Sequence, residues 1–122
     1  MKTLMLLPVL AAAAASPALA ESCSTAAARV TIAKTLRLAT EQRPVNITFQ
    51  TRGDGVKMPE SLKAKYSDDM TIILQQEFSQ LDVKDDRFEV VMRFNNNPAR
   101  LSIPYTAIKA LWDNSQLKCS NN

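Results

Sequence analysis

Apolar and polar positions alternate strictly over residues 45–51, VNITFQT, with Val45, Ile47 and Phe49 on one side. A period of two with β-branched and aromatic residues predicts a half-buried strand. The same period returns at residues 87–94, where Phe88, Val90, Met92 and Phe94 point one way, and again at residues 100–103. Residues 70–75, MTIILQ, form a continuous β-branched run, which predicts a central strand covered on both faces. Residues 81–83 are a shorter strand, ended by the turn formers Asp85 and Asp86. The run Asn95-Asn96-Asn97-Pro98 predicts a turn, because asparagine tolerates left-handed backbone angles.

Other stretches repeat at helical spacing. Ala28, Ile32, Ala33, Leu36 and Ala39 share one face, while Arg29, Lys34, Arg37 and Glu41 lie largely off it. Val30 and Leu38 fall outside that stripe. Ser24 or Thr25 supplies a cap, and the helix is expected to run to about Gln42, where Arg43-Pro44 closes it. Pro59 predicts one or two helical turns through residue 66. After Pro104, the spacing of Ile108, Leu111 and Trp112 predicts a C-terminal helix. Gly53-Asp54-Gly55 reads as a turn with positive φ, and no phosphate-cradling pattern follows it. The order is helix, strand, short helix, antiparallel meander, helix. The expected fold is α+β: a small antiparallel sheet curled into a partly open barrel, with an N-terminal and a C-terminal helix.

The first twenty residues do not belong to that pattern. Lys2 gives a positive start, and residues 4–15 are apolar and too short to span a membrane. Ser16 and Pro17 break the run before Ala18-Leu19-Ala20, small residues where a signal peptidase cuts. Residues 1–20 are therefore read as a signal peptide and residues 21–122 as a single exported domain, periplasmic or secreted. Without use of the signal the protein would stay cytoplasmic. No membrane span is expected in the mature chain.

Charge and chemistry narrow the function classes. Loss of Lys2 lowers the net charge only from +3 to +2, too little to point to nucleic acid or an anionic surface. Four Phe, two Tyr and one Trp, mostly at core phases, make a poor set of base-stacking platforms. With no histidine, the commonest general base and the commonest metal ligand are both missing. The pairs Asp68–Asp69 and Asp85–Asp86, with Glu89, are the only carboxylate candidates, and the pairs sit in predicted turns. No enzyme, cofactor or metal is expected. Cys23 and Cys119 stand at the two ends of the mature chain. An even count behind an export signal favours a disulfide, and the competing reading is two free thiols on frayed ends.

Five ordered pieces, VNITFQT, GVKMPESLKAKY, MTIILQQEF, LDVKDDRFEVVMRF and RLSIPYTAIKALWD, resemble the stringent starvation protein B (SspB) family, especially its alphaproteobacterial branch. The resemblance covers about residues 26–114. It implies an adaptor whose folded body binds extended, unstructured peptide tags, and whose flexible tail docks on the ClpX unfoldase to feed the ClpP protease. It implies a homodimer through the N-terminal helix. It places the peptide groove at Leu74, Gln75, Gln76 and Phe78, with Met58 nearby. A glutamine amide there can both donate to and accept from a peptide backbone. The chain departs from the family in its signal peptide, in Asp113-Asn114-Ser115 where Asp-Pro-Ser is usual, and in lacking the acidic linker and docking tail. Peptide capture without delivery to ClpXP is thus the expected function. The alternative is a secreted structural or interaction domain that keeps the fold without tag binding.

Overall fold

The computed structural model describes residues 21–39 and 42–121. The expected signal peptide, residues 1–20, lies outside the described residues. In chain order the elements are α1 (Ala26–Leu36), β1 (Val45–Gln50), α2 (Glu60–Lys65), β2 (Asp69–Leu74), β3 (Phe78–Val83), β4 (Arg87–Phe94) and β5 (Asn97–Pro104). A 3-10 turn (Tyr105–Ala107), β6 (Ile108–Asp113) and β7 (Gln116–Ser120) complete the chain. The strands form two antiparallel sheets, one ordered β2-β1-β6-β7 and one ordered β3-β4-β5. Neither closes on itself. The α+β class holds, as sheets with an N-terminal helix.

Each element follows from local chemistry. The Thr25 hydroxyl accepts from the Ala28 N–H at 3.0 Å and caps α1. Ala28, Ile32, Ala33 and Leu36 are buried, and Ala39 packs on the core beyond the helix, which ends at Leu36 rather than near Gln42. Asn95 and Asn96 both adopt positive φ, at 53° and 67°, between the paired residues Phe94 and Asn97. That is the turn geometry whose twist suits a two-residue hairpin. Gly55 has φ of 85°, and a Cβ there would meet the Pro104 ring at 3.0 Å. The core lies between the sheets and under α1, built from Ile32, Leu36, Ile47, Phe49, Phe88, Leu101, Ile103, Tyr105, Ile108 and Leu111.

The two cysteines are joined. Cys23 and Cys119 form a disulfide with 5.0 Å between their Cα atoms, tying the segment ahead of α1 to β7. The Ser120 N–H also donates to the Glu21 carbonyl at 2.8 Å. The Asn121 side-chain oxygen accepts from the Cys23 N–H at 2.8 Å.

Two expectations are corrected. There is no C-terminal helix: Pro104 leads into a single 3-10 turn and then the β6–β7 hairpin. The cause is a bulge. Thr48 pairs with Ala110 while Phe49 pairs with Ile108, so Lys109 is an extra residue in β6. The bulge turns both Ile108 and Leu111 inward, three residues apart, which mimics helical spacing, while Trp112 faces out. Residues 70–75 are not a central strand either. β2 is the edge of its sheet, with Met70, Ile72 and Leu74 buried and Thr71 and Ile73 exposed.

Candidate functional site

Two open grooves meet at the tip of the β4–β5 hairpin. The first, of about 520 Å³, lies between α2 and the start of β5. Pro59, Leu62 and Tyr66 line one side and Phe94, Pro98 and Ala99 the other, with Ser61, Asn95 and Asn97 as polar rim. Lys65 and Arg93 are its charged residues, and no carboxylate lines it. The second groove, of about 420 Å³, runs over β3 and β4 past Gln76, Glu77, Phe78, Ser79, Gln80 and Val91. Arg93 and Pro98 border both grooves. The Arg93 guanidinium donates to the Asn96 carbonyl at 3.4 Å, which holds it near the tip.

The first groove is built against a backbone edge. Ser102 of β5 donates to the Lys57 carbonyl and accepts from the Lys57 N–H, both at 2.9 Å. Lys57 is thus a one-residue added strand on the side of β5 away from β4. Because strand residues alternate, the N–H and C=O of Arg100 and the C=O of Pro98 face that same side. No strand pairs there among the described residues. Pro59 then starts α2 and lifts the chain away, leaving the groove beside this stretch of edge. Pro98 fits an edge strand because it has no N–H to leave unpaired.

The residues expected at the site separate. Gln76 and Phe78 line the second groove. Gln75 is half-buried in the link between β2 and β3. Met58 is partly buried against the core, next to the Lys57 bridge. Leu74 is fully buried opposite Val45, so its side chain faces the core and lines neither groove. Leu62, Lys65, Tyr66, Phe94 and Ala99 were not singled out by sequence. Their only signal there was Pro59 and the Asn-Asn turn, and neither shows that α2 lies beside the hairpin tip.

Chemistry elsewhere is structural. The exposed Arg43 grips the buried Asp113 with two hydrogen bonds, at 3.0 and 2.8 Å. That hydrogen bond holds the Asp113 carboxyl below the usual range, against the opposing effect of burial. The Tyr105 hydroxyl donates to the Lys84 carbonyl. Burial pushes it up to about 12, with Arg37 opposing and Asp86 and Asp85 assisting. Asp68, Asp69, Asp85 and Asp86 are exposed, and Asp69 pairs with Lys109 at 2.9 Å. Glu89 is half-buried and accepts from the Ser102 hydroxyl at 3.3 Å. Among the described residues no three metal-ligating side chains converge, and no helix is long and apolar enough to cross a membrane.

The family model of stringent starvation protein B matches residues 22–118. No curated protein matches the chain. The matched span takes in α1, the sheets up to the first residues of β7, Cys23 and both grooves, and ends just before Cys119. This chain belongs to the SspB family, a family of adaptors.

Proposed function

We propose that this protein is an exported SspB-family binding module that captures extended, unstructured peptides at the β4–β5 hairpin tip. The observation that carries the reading is the first groove, which sets apolar side chains and two cations beside an open strand edge. An extended peptide placed there gains main-chain hydrogen bonds from Arg100 and Pro98, and the groove reads its side chains. Leu62, Tyr66 and Phe94 accept apolar groups, while Lys65 and Arg93 favour acidic ones. Gln76 and Phe78 extend the contact surface over the hairpin into the second groove. The signal-like leader and the Cys23–Cys119 bridge support export. An exported copy works apart from the cytoplasmic ClpXP protease, so the reading assigns capture without delivery to it.

The test is a titration of the oxidised protein with labelled unstructured peptides, followed by fluorescence anisotropy. Peptides carrying apolar and acidic residues should bind, and Tyr66→Ala with Lys65→Glu should weaken binding about tenfold or more, the loss of roughly 1.4 kcal/mol. Lys65→Glu should leave the thermal melt close to wild type, because Lys65 is exposed at the groove wall, while Tyr66→Ala should lower it, because Tyr66 also packs on the core. Absence of binding at millimolar peptide would reject capture and leave a secreted interaction domain with the SspB fold.

A further inference from the structure

The strand edge beside the first groove is open at one end and closed at the other. Toward the hairpin tip, the free edge of β5 runs out past the exposed Pro98 and Asn97. At the other end Lys57 already holds the edge, with both of its backbone bonds to Ser102 at 2.9 Å. Pro59 and Ser61 follow it and stand in the groove wall. An extended chain paired with Arg100 therefore has no room to continue along the same edge past Ser102, since one strand edge bonds one partner at a time. From Arg100 to Pro98 the free edge is about 10 Å long, at about 3.4 Å per residue. Such a site suits the end of a chain rather than its middle.

Charge decides which end. Lys65 and Arg93 line the groove, and no carboxylate does. Neither cation is in an ion pair among the described residues. The Lys65 ammonium lies 5.6 Å from the centre of the Tyr66 ring, against the groove wall. Arg93 uses one N–H on the Asn96 carbonyl, which leaves its other donors for a ligand. α2 has 6 residues and is about 9 Å long. Lys65, at its far end, thus stays within about one Debye length of Pro59. Outside the lining, the exposed Lys57 and Glu60 flank the closed end with one charge of each sign, so the two lining cations stand unopposed.

We propose that the groove captures the C-terminal end of a peptide, with the free carboxylate toward the closed end and the body leaving across the hairpin tip. The inference rests on the peptide-capture reading above and names its substrate class: unstructured chains that end in apolar residues. The bound end runs parallel to β5. Its carboxylate is ionised at neutral pH and takes charge-assisted hydrogen bonds from the groove cations, which a neutral amide cannot match. A free amino end would instead add a third cation. Leu62, Tyr66 and Phe94 receive the last side chains. The preceding residues pass Arg93, which borders both grooves, and reach Gln76 and Phe78.

The test is fluorescence anisotropy of the oxidised protein with one short unstructured peptide, acidic in its middle, ending in two leucines and labelled at its N-terminus. It is compared as the free acid, as the C-terminal amide, with a Gly-Ser tail after the last leucine, and with the same tail before the first residue. The free acid and the N-terminally extended form should bind alike. The amide and the C-terminally extended form should bind about tenfold more weakly. Lys65→Gln with Arg93→Gln should bring the free acid down to the level of the amide, and both side chains are exposed, so the fold should persist. Equal binding of the free acid, the amide and the C-terminally extended form would overturn the proposal and leave capture along the chain standing. Weaker binding on N-terminal rather than C-terminal extension would overturn it too, because the bound direction is then reversed. Absence of binding by every form at millimolar peptide would remove the capture reading itself, and this proposal with it.

Discussion

Opening the Cys23–Cys119 bridge perturbs this protein in a way that the folded contacts alone understate. The two residues are separated by 96 positions, so the bond closes nearly all of the described residues into one loop. In the chain-entropy picture such a loop is worth about 4.7 kcal/mol, through restriction of the unfolded state. A domain of this size is stable by only about 5–15 kcal/mol. With an unfolding entropy of about 0.2 kcal/mol/K for 100 residues, the loss corresponds to a fall in Tm of about 20 °C. The folded state should change little, because Ser120 still reaches Glu21 and Asn121 still reaches Cys23 by hydrogen bonds. The assay is urea unfolding and thermal melting of the oxidised protein beside the Cys23→Ala/Cys119→Ala variant. An unfolded-state effect also predicts a steeper urea dependence in the variant, whose released chain exposes more surface. A Tm drop below about 5 °C with an unchanged slope would refute the argument, since about 1 kcal/mol is what that shift represents.

The remaining predictions concern the two buried ionisable groups. Tyr105 is pushed up to about 12 by burial. The stability it contributes should be complete below about pH 10, the unfolded value, and be lost as pH rises toward the folded one. Tyr105→Phe should flatten that alkaline decline in thermal melts, at a cost of about 1 kcal/mol near neutrality from the lost hydrogen bond to Lys84. Asp113 is lowered by its hydrogen bonds with Arg43. Asp113→Asn should lower the urea midpoint at neutral pH, and the gap to wild type should close as pH falls below about 4. A gap that stays constant down to pH 2 would show that the pair adds no charge-dependent stability.

The chain by itself determined the elements whose signal is local. Period-two alternation located β1 and β4, the stripe from Ala28 to Leu36 located α1, and the asparagine run located the β4–β5 turn. The signal-like pattern of the first twenty residues and cysteine parity pointed to the pairing of Cys23 with Cys119 that the structure shows. The tertiary structure decided what depends on register and neighbours. A bulge at Lys109 turned helical spacing into strand β6, because one inserted residue shifts a period of two to three. The apolar run ending in Leu74 became an edge strand whose alternate residues divide between core and outer face. Phe78 and Gln76 could be named from the resemblance, yet the groove beside them is a product of packing. Leu62 comes from α2 and Tyr66 from the residue that ends it, Ala99 and Pro98 from a strand more than thirty positions later, and only the closed fold brings their surfaces together. Sequence records which residues alternate, but a groove is a relation between segments whose contact no local period encodes.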